Sequence, residues 1–534
     1  MITWYKLQNR ERDFIILSLF IFLGYLVLIF NYPLFFADDF VIFGKIKENP
    51  DILFLTDPNS IFYLFFRPVS YLSFWIDFNF FNASAEIIKV VSILIFLFLF
   101  YSIWNIINTL AKLMNISTNR SLMFLFSILF AFHPDTQFSI LWIANKTELL
   151  YLFFYSYAFL FFIKSIEKNK NIYLVLYLLF YFFSILSKQT GLHLPIFILL
   201  FMLFNNKTKY IKTTFNYHYY TILILSLLVL LLVLTVSYFY IPDTSNTLTN
   251  SWKKIFSIPG ILFISFIPIF NQSVYNFFLL NKPFAIAILG IVLSIVFFFR
   301  KRIDFSKLIA LIFIIIIISF PRISAPGGQR INTIYIYWAF IILSISFITV
   351  NEFKKYFLII AAVILSLYIY KFIQYSDFIL QNNKQLYSYD KLNNKFRDSR
   401  FATVAAISGY EGMFINYQYF YFKNGKFGQF YNNSFTSVFI NKDLFDKDIY
   451  LYNKKIISVK LNNNLITVRS LEKLAYIEFN TTEIVKIKPL VIISSIPSPT
   501  GRGFSEITYE LPKNLDLNNT KLIYFDGLEW KVLK

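Results

Sequence analysis

Residues 219–240 read YYTILILSLLVLLLVLTVSYFY, without one charged side chain. A helix needs about 20 apolar residues to cross a hydrocarbon core, and inside lipid it must satisfy its backbone polar groups internally. Comparable runs recur along the first 374 residues, too often for each to be a single buried core helix. Charged residues make up only 15% of the chain, against about 25% in soluble domains. Together these features dictate a polytopic all-α membrane bundle.

Basic residues near the ends of the runs orient the bundle, because Lys and Arg concentrate in cytoplasmic loops. The inner-side clusters are Lys6, Arg10 and Arg12; Lys112 and Arg120; Lys164, Lys168 and Lys170; Lys207, Lys209 and Lys212; Arg300, Lys301, Arg302 and Lys307; and Lys354 and Lys355. About eleven spans join them with consistent parity: residues 14–36, 87–110, 121–133, 148–163, 171–187, 190–204, 219–240, 283–300, 307–320, 331–349 and 356–374. Residues 255–270, broken by Pro259 and Pro268, then form a re-entrant or interfacial element, because one more full span would reverse the sign of the Arg300–Lys307 cluster. The first run is too long for a signal-peptide core and lacks a small-residue cleavage site, so it reads as a retained span. The N-terminus falls in the cytoplasm. Loops 37–86, 134–147, 188–190, 241–282 and 321–330 fall on the outer face, together with everything after residue 375.

The net charge of +20 is spread over many loops, which points to topology and anionic lipid and away from nucleic acid. The absence of cysteine excludes disulfides and thiolate-bound metal. After residue 375 Asn, Lys and Asp become frequent, and short β-prone runs appear at 456–461, 465–468, 476–479, 490–493 and 522–525. Turn signals such as Asn424-Gly425 and Pro497-Ser-Pro-Thr-Gly501 separate runs of this kind. A second, extracytoplasmic domain of α+β or mostly β type follows, with a helix at 378–396 leading into it. The domains are therefore 1–374 and 375–534.

Five groups of polar residues fall on the outer face. Asp38 and Asp39 directly follow the first span; an acidic pair there is a helix cap, or a general base with a neighbour that positions an acceptor or a cation. Arg67-Pro68-Val69-Ser70-Tyr71 opens an amphipathic helix with Phe74, Trp75 and Phe78 toward the interface, and Arg67 has the fork that suits phosphate. His133-Pro134-Asp135 closes the third span and precedes Trp142, Asn145, Lys146 and Glu148. Trp142 suits either sugar stacking or the aromatic belt that is the default at an interface. Ser187-Lys188-Gln189-Thr190, with His193 beyond, places a cation where the charge rule does not expect one. Arg322 and Arg330 flank a Pro/Gly-rich loop able to clamp a phosphate; interfacial snorkelling explains either one alone.

Taken in order, these pieces resemble the GT-C glycosyltransferases. They are Asp38-Asp39 after span one, Arg67-Pro68 with Ser70-Tyr71-Leu72-Ser73-Phe74, Phe132-His133-Pro134 with Trp142, Leu186-Ser187-Lys188-Gln189-Thr190, and the late arginine loop. The likeness covers about residues 1–350 and is nearest to the O-mannosyltransferase-like branch, whose members often carry TPR repeats. It implies transfer of a sugar from a polyprenyl-phosphate donor to a hydroxyl on the non-cytoplasmic side, with inversion. It implies a catalytic role for Asp38 and Asp39, and donor phosphate binding by Arg67, Lys188, Arg322 and Arg330. His133, Asp135, Trp142, Glu148 and His193 would then meet the acceptor or sugar. The acceptor is a glycan, lipid or protein, and the setting a bacterial plasma membrane.

The chain departs from that branch in three places. It has His133-Pro134-Asp135-Thr136-Gln137 where the branch has a second His and a Glu, Gln189 where the branch has Glu after the Lys, and no TPR repeats. A second acid then has to come from Asp135 or Glu148. Mg²⁺ or Mn²⁺ suits a carboxylate pair such as one containing Asp39, although the motif does not demand a metal. The rival functions are a flippase or transporter, a polysaccharide polymerase or ligase, and a non-catalytic assembly protein. Transporters usually show inverted repeats and mid-bilayer charges, and here the conspicuous charges sit at span ends.

The charge pattern generates a direct test. A reporter fused after Lys301 is expected in the cytoplasm and one after Asn382 outside it; the same side for both means that a segment such as 254–280 has been miscounted.

Overall fold

The computed structural model describes residues 9–31, 67–82, 84–113, 120–188, 217–240, 363–370, and strands and turns between 400 and 533, with isolated positions at 39–51 and 194–202. The chain divides into two compact units, Met1–Pro33 with Asp51–Lys371, and Leu34–Pro50 with Phe372–Lys534.

The first unit is helical. In chain order the helices are α1 (Asn9–Asn31), α2 (Pro68–Phe80), α3 (Ala85–Leu113), α4 (Arg120–Ala131), α5 (Pro134–Leu141), α6 (Lys146–Lys168), α7 (Ile172–Ser187) and α8 (Tyr217–Tyr240). Among the described residues three segments are long and apolar enough to cross a membrane: Glu11–Ile29, Ala85–Leu113 and Ile143–Lys168. Helix α1 shows what sort of solvent it faces. Leu17, Ile21, Tyr25 and Ile29, spaced by four, are buried, while Leu19, Leu23 and Val27 on the other side are more than half exposed. A helix apolar on its outer face as well as its inner one is built for lipid.

Helices α6 and α7 form an antiparallel hairpin. Helix α6 ends on Asn169, which takes the left-handed conformation (φ 52°) and returns its N–H to the Ser165 carbonyl. Asn tolerates that conformation better than most residues. The Ser184 hydroxyl reaches the Tyr151 carbonyl at 3.3 Å, so residues 148 and 188 meet at the open end. Helix α3 runs parallel to α6. The Ser102 and Ser156 hydroxyls bond each other inside the bundle, and Lys112 meets Glu167 at 2.6 Å one stage further along. These pairs are 54 and 55 residues apart, so Ser92, two turns into α3, lies level with the start of α6.

Helix α1 docks through Gly24, where a Cβ would come within 3.3 Å of the Phe132 ring. Tyr25 stacks on Phe132 at 5.9 Å and donates its hydroxyl to the Ala131 carbonyl at 2.6 Å. This contact anchors the turn that carries His133.

The segment 134–147, expected as a loop, is structured. Pro134 is the first residue of α5, and a short 3-10 turn, Ile143–Asn145, leads straight into α6. Proline at the first helical position is a start signal. Its place after a short apolar run makes it resemble the end of a span instead. The expected helix at 378–396 and the Asn424-Gly425 turn lie outside the described residues.

The second unit carries strands in the C-terminal region, β1 (Arg400–Ile407), β2 (Ser434–Ile440), β3 (Ile457–Asn462), β4 (Leu465–Ser470), β5 (Ala475–Phe479), β6 (Ile492–Pro497), β7 (Phe504–Glu510), β8 (Thr520–Phe525) and β9 (Trp530–Val532). They form one mixed sheet of order β3-β4-β7-β5-β2-β1-β8-β9, with β6 on β7. Strand β1 is parallel to β2 and β8, and the other pairs are antiparallel. The β3–β4 hairpin turns on Asn463 (φ 56°) and Asn464. Ile457, Val459, Ile466, Val468, Ile507 and Tyr509 fill its buried face at period two.

Candidate functional site

The two ends of the α3/α6/α7 group differ in electrostatic character. At one end Lys112, Lys168 and Lys170 are exposed, with Glu167 partnering Lys112. Here the charges sit where water can solvate them. At the other end the charges are buried.

Lys146, the first residue of α6, is buried, and its ammonium lies 2.8 and 2.9 Å from the two carboxylate oxygens of Asp77 on α2. Two residues on, Glu148 is buried and ion-paired with Lys188, which continues from the end of α7 in extended conformation. The Ser70 hydroxyl of α2 donates to the Ser187 carbonyl at 2.8 Å, fixing α2 to the residue before Lys188. Arg67 precedes Pro68 at the start of the same helix. Three elements thus bring together three cationic and two anionic side chains. Lys89, in the first turns of α3, is a further buried cation at this level.

Helix α2 departs from the sequence expectation at Phe74, while Trp75 and Phe78 are half-buried. Ser70, Tyr71, Phe74 and Asp77, at spacings of three and four, face the bundle, and Phe74 is 1% exposed. Leu72, Ile76 and Phe80, four apart, form the exposed edge, with Phe80 69% exposed. Phe74 is therefore a core residue, and Leu72, Ile76 and Phe80 take the interfacial place expected for it. The polar positions turn inward because Asp77 has a cation to meet there.

The environment shifts the α2 groups. Burial pushes the Asp77 carboxyl above its ordinary value against the pull of the Lys146 ammonium. Burial raises the Tyr71 phenol to about 12, with Arg67 opposing the rise. Burial also lowers Arg67, which nonetheless stays a cation. For Asp77 the proton is held more tightly in the folded state. Through this group stability therefore falls as pH rises from the ordinary carboxylate range to the raised folded value, and is flat above it.

Of the residues singled out from the sequence, Lys188 and Glu148 are brought together, and Arg67 lies on the helix bonded to the segment that holds Lys188. Glu148 explains why a cation stands at a span end where the charge rule does not place one. His133 is buried, packs edge-on to Tyr368 with ring centres 4.9 Å apart, and accepts the Gln137 N–H on its carbonyl. Trp142 is 3% exposed, inside the protein and away from any lipid-facing belt. Asp135 lies in the first turn of α5. Asp39 has helical backbone in the second unit and shares a buried face with Phe43 and Ile46, four and seven residues on. Asp38, His193, Arg322 and Arg330 lie outside the described residues. Lys146 stood among the outer-face polar residues of the sequence without a role, and Asp77 was given none either. The signal was present, since each is a lone charge on the apolar face of its helix. Among the described residues no three His, Asp or Glu side chains converge on a common point.

No protein-family model matches the chain, and no curated protein matches it.

The buried pair makes a quantitative prediction. Asp77→Asn strands the Lys146 ammonium and is expected to cost about 3–5 kcal/mol in equilibrium unfolding of the detergent-solubilised protein. Replacing both members by apolar residues, Asp77→Leu with Lys146→Met, is expected to recover most of that loss. The acid limb assigned to Asp77 should disappear in Asp77→Asn. A single variant as stable as wild type would mean that the pair is not sealed from water.

Proposed function

We propose that the chain is a multi-pass membrane glycosyltransferase that moves a sugar from a polyprenyl-phosphate carrier to an acceptor hydroxyl on the extracytoplasmic face. In this reading about eleven spans form the bundle, with the N-terminus cytoplasmic and the C-terminal domain outside. One observation carries it. Arg67, Asp77, Lys146, Glu148 and Lys188 gather at a single end of the helical unit and are held there by α2, while the opposite end keeps its charges in water. Buried charge at a membrane edge is expensive and marks a functional site by default. The ordered motifs of the sequence supply the reaction class.

The donor's isoprenoid tail lies along the lipid-facing helices. Its phosphate is met by Arg67 and, from segments outside the described residues, by Arg322 and Arg330. Lys188 contributes less charge than its type suggests, because Glu148 neutralises it. Asp38 takes the proton of the acceptor hydroxyl while that oxygen attacks the anomeric carbon. The bond from that carbon to the phosphate oxygen breaks, and its electrons leave on the polyprenyl phosphate, where the arginines stabilise them. Attack from the face opposite the leaving group inverts the anomeric centre. Asp39 positions the acceptor or a divalent cation, and no step runs through a metal.

The test is transfer by the purified full chain with a lipid-linked sugar, read as released polyprenyl phosphate. Asp38→Asn keeps the shape and the capping ability of the side chain but not its basicity. It is expected to slow transfer by about a hundredfold or more while leaving donor binding intact. Near-normal transfer by a well-folded Asp38→Asn protein would remove the proposed base, and no release by wild type would remove the enzyme.

A further inference from the structure

Glu148 is 5% exposed, and only one of its carboxylate oxygens is spoken for. Oε1 takes the Lys188 ammonium; Oε2 is buried and has no hydrogen-bond partner among the described residues. Buried acceptors in folded proteins are almost always satisfied, and leaving a charged one without a donor costs more than leaving a neutral one. The side chain is held from two directions. Its position in the first turn of α6, two residues after the Lys146–Asp77 pair, and the lysine on its other oxygen fix the carboxylate.

The chemistry of the missing partner follows from this geometry. An anion would meet a carboxylate oxygen and would have to displace Glu148 from Lys188. A cation would lie beside the ammonium that already neutralises the carboxylate. A neutral hydroxyl has neither penalty, and its O–H gives Oε2 the donor it lacks; a hydrogen bond to a charged acceptor is the stronger kind. Oε2 itself is sealed, and Lys188, 15% exposed against 6% for Glu148, is the more open member of the pair.

We infer that the Glu148–Lys188 pair is a receptor for a hydroxyl of a neutral sugar ring, in which Glu148 Oε2 accepts the hydroxyl and Lys188 positions the carboxylate. This reassigns Lys188 from phosphate clamp to positioning residue. The choice of a sugar among neutral hydroxyl compounds rests on the glycosyltransferase reading; the neutrality of the ligand does not.

The experiment is saturation-transfer NMR on the full chain in detergent micelles, with a panel of methyl glucopyranoside, galactopyranoside and mannopyranoside, and with inorganic phosphate as the anionic probe. Wild type is expected to bind at least one pyranoside. Glu148→Gln is expected to weaken that binding about ten- to a hundredfold, the worth of one charge-assisted hydrogen bond. Because Glu148→Gln leaves Lys188 uncompensated, the neutral double variant Glu148→Gln with Lys188→Met guards against a folding defect and should lose sugar binding equally. Lys112→Ala, at the opposite end, should bind like wild type. Unchanged sugar binding in both Glu148 variants overturns the inference. So does absence of any pyranoside signal in wild type, which assigns Oε2 to water alone. So does phosphate binding that is lost on Lys188→Met. Sugar binding that depends on Glu148, in a protein that releases no polyprenyl phosphate, leaves this inference standing and sinks the enzyme.

Discussion

The Lys146–Asp77 ion pair, with both carboxylate oxygens of Asp77 within 2.9 Å of one ammonium and both side chains sealed from solvent, is the contact on which the polar end of the helical unit depends. Neither charge is stable alone in that place. Burial opposes the ionised form of Asp77, and the attraction of its partner offsets that only while the two are held together. The pair therefore fixes α2 to the start of α6. The Ser70 to Ser187 hydrogen bond fixes the other end of α2 to the end of α7, and Arg67, Glu148 and Lys188 take their places around this frame. An apolar α2 docked on an apolar bundle would be as stable or more so. Keeping ions there is a cost that a site explains and packing does not.

The solvent sets the remaining rules. Exposed apolar stripes on α1 and along the edge of α2 suit lipid. Inside the bundle, the Ser102–Ser156 pair, the Ser184–Tyr151 bond and the Tyr177 and Ser226 hydroxyls 3.0 Å apart join helices where hydrophobic association has no water to expel. These bonds set the register of α3, α6 and α7, and register decides which residues share an end. With α6 and α7 antiparallel and α3 parallel to α6, the exposed lysines fall together at one end and the buried pairs at the other.

Much of this was legible because hydropathy works over long windows. The positions of α3, α6, α7 and α8 follow from apolar runs bounded by lysines, and β3, β4, β5 and β8 from runs rich in Ile, Val and Tyr. Strands β1 and β2 escaped although Phe401, Thr403, Val404 and Ile407, and Phe435, Thr436, Val438, Phe439 and Ile440, are residues that favour strands, with alanines and serines interrupting them. Strand β7 hides its alternation behind Glu506 and Glu510 on one face, with Ile507 and Tyr509 buried on the other. For the site, Lys188 stood out as a misplaced cation, but its partner lies 40 residues earlier, and Asp77 and Lys146 are 69 apart. Pairings of that range arise only from helix packing, so single side chains were visible where their partnerships were not.

The central claim is that the end carrying Asp77, Lys146, Glu148 and Lys188 is where a polyprenyl phosphate binds. Photocrosslinking tests it most directly, using a polyprenyl phosphate with a diazirine beside the phosphate, the full chain in lipid nanodiscs, and peptide mapping of the labelled sites. The account predicts label on α2 near Arg67 and on the segment following Ser187, reduced by unlabelled carrier. Label concentrated instead near Lys112, Lys168 and Lys170, or spread evenly along the lipid-facing stripes, would contradict it.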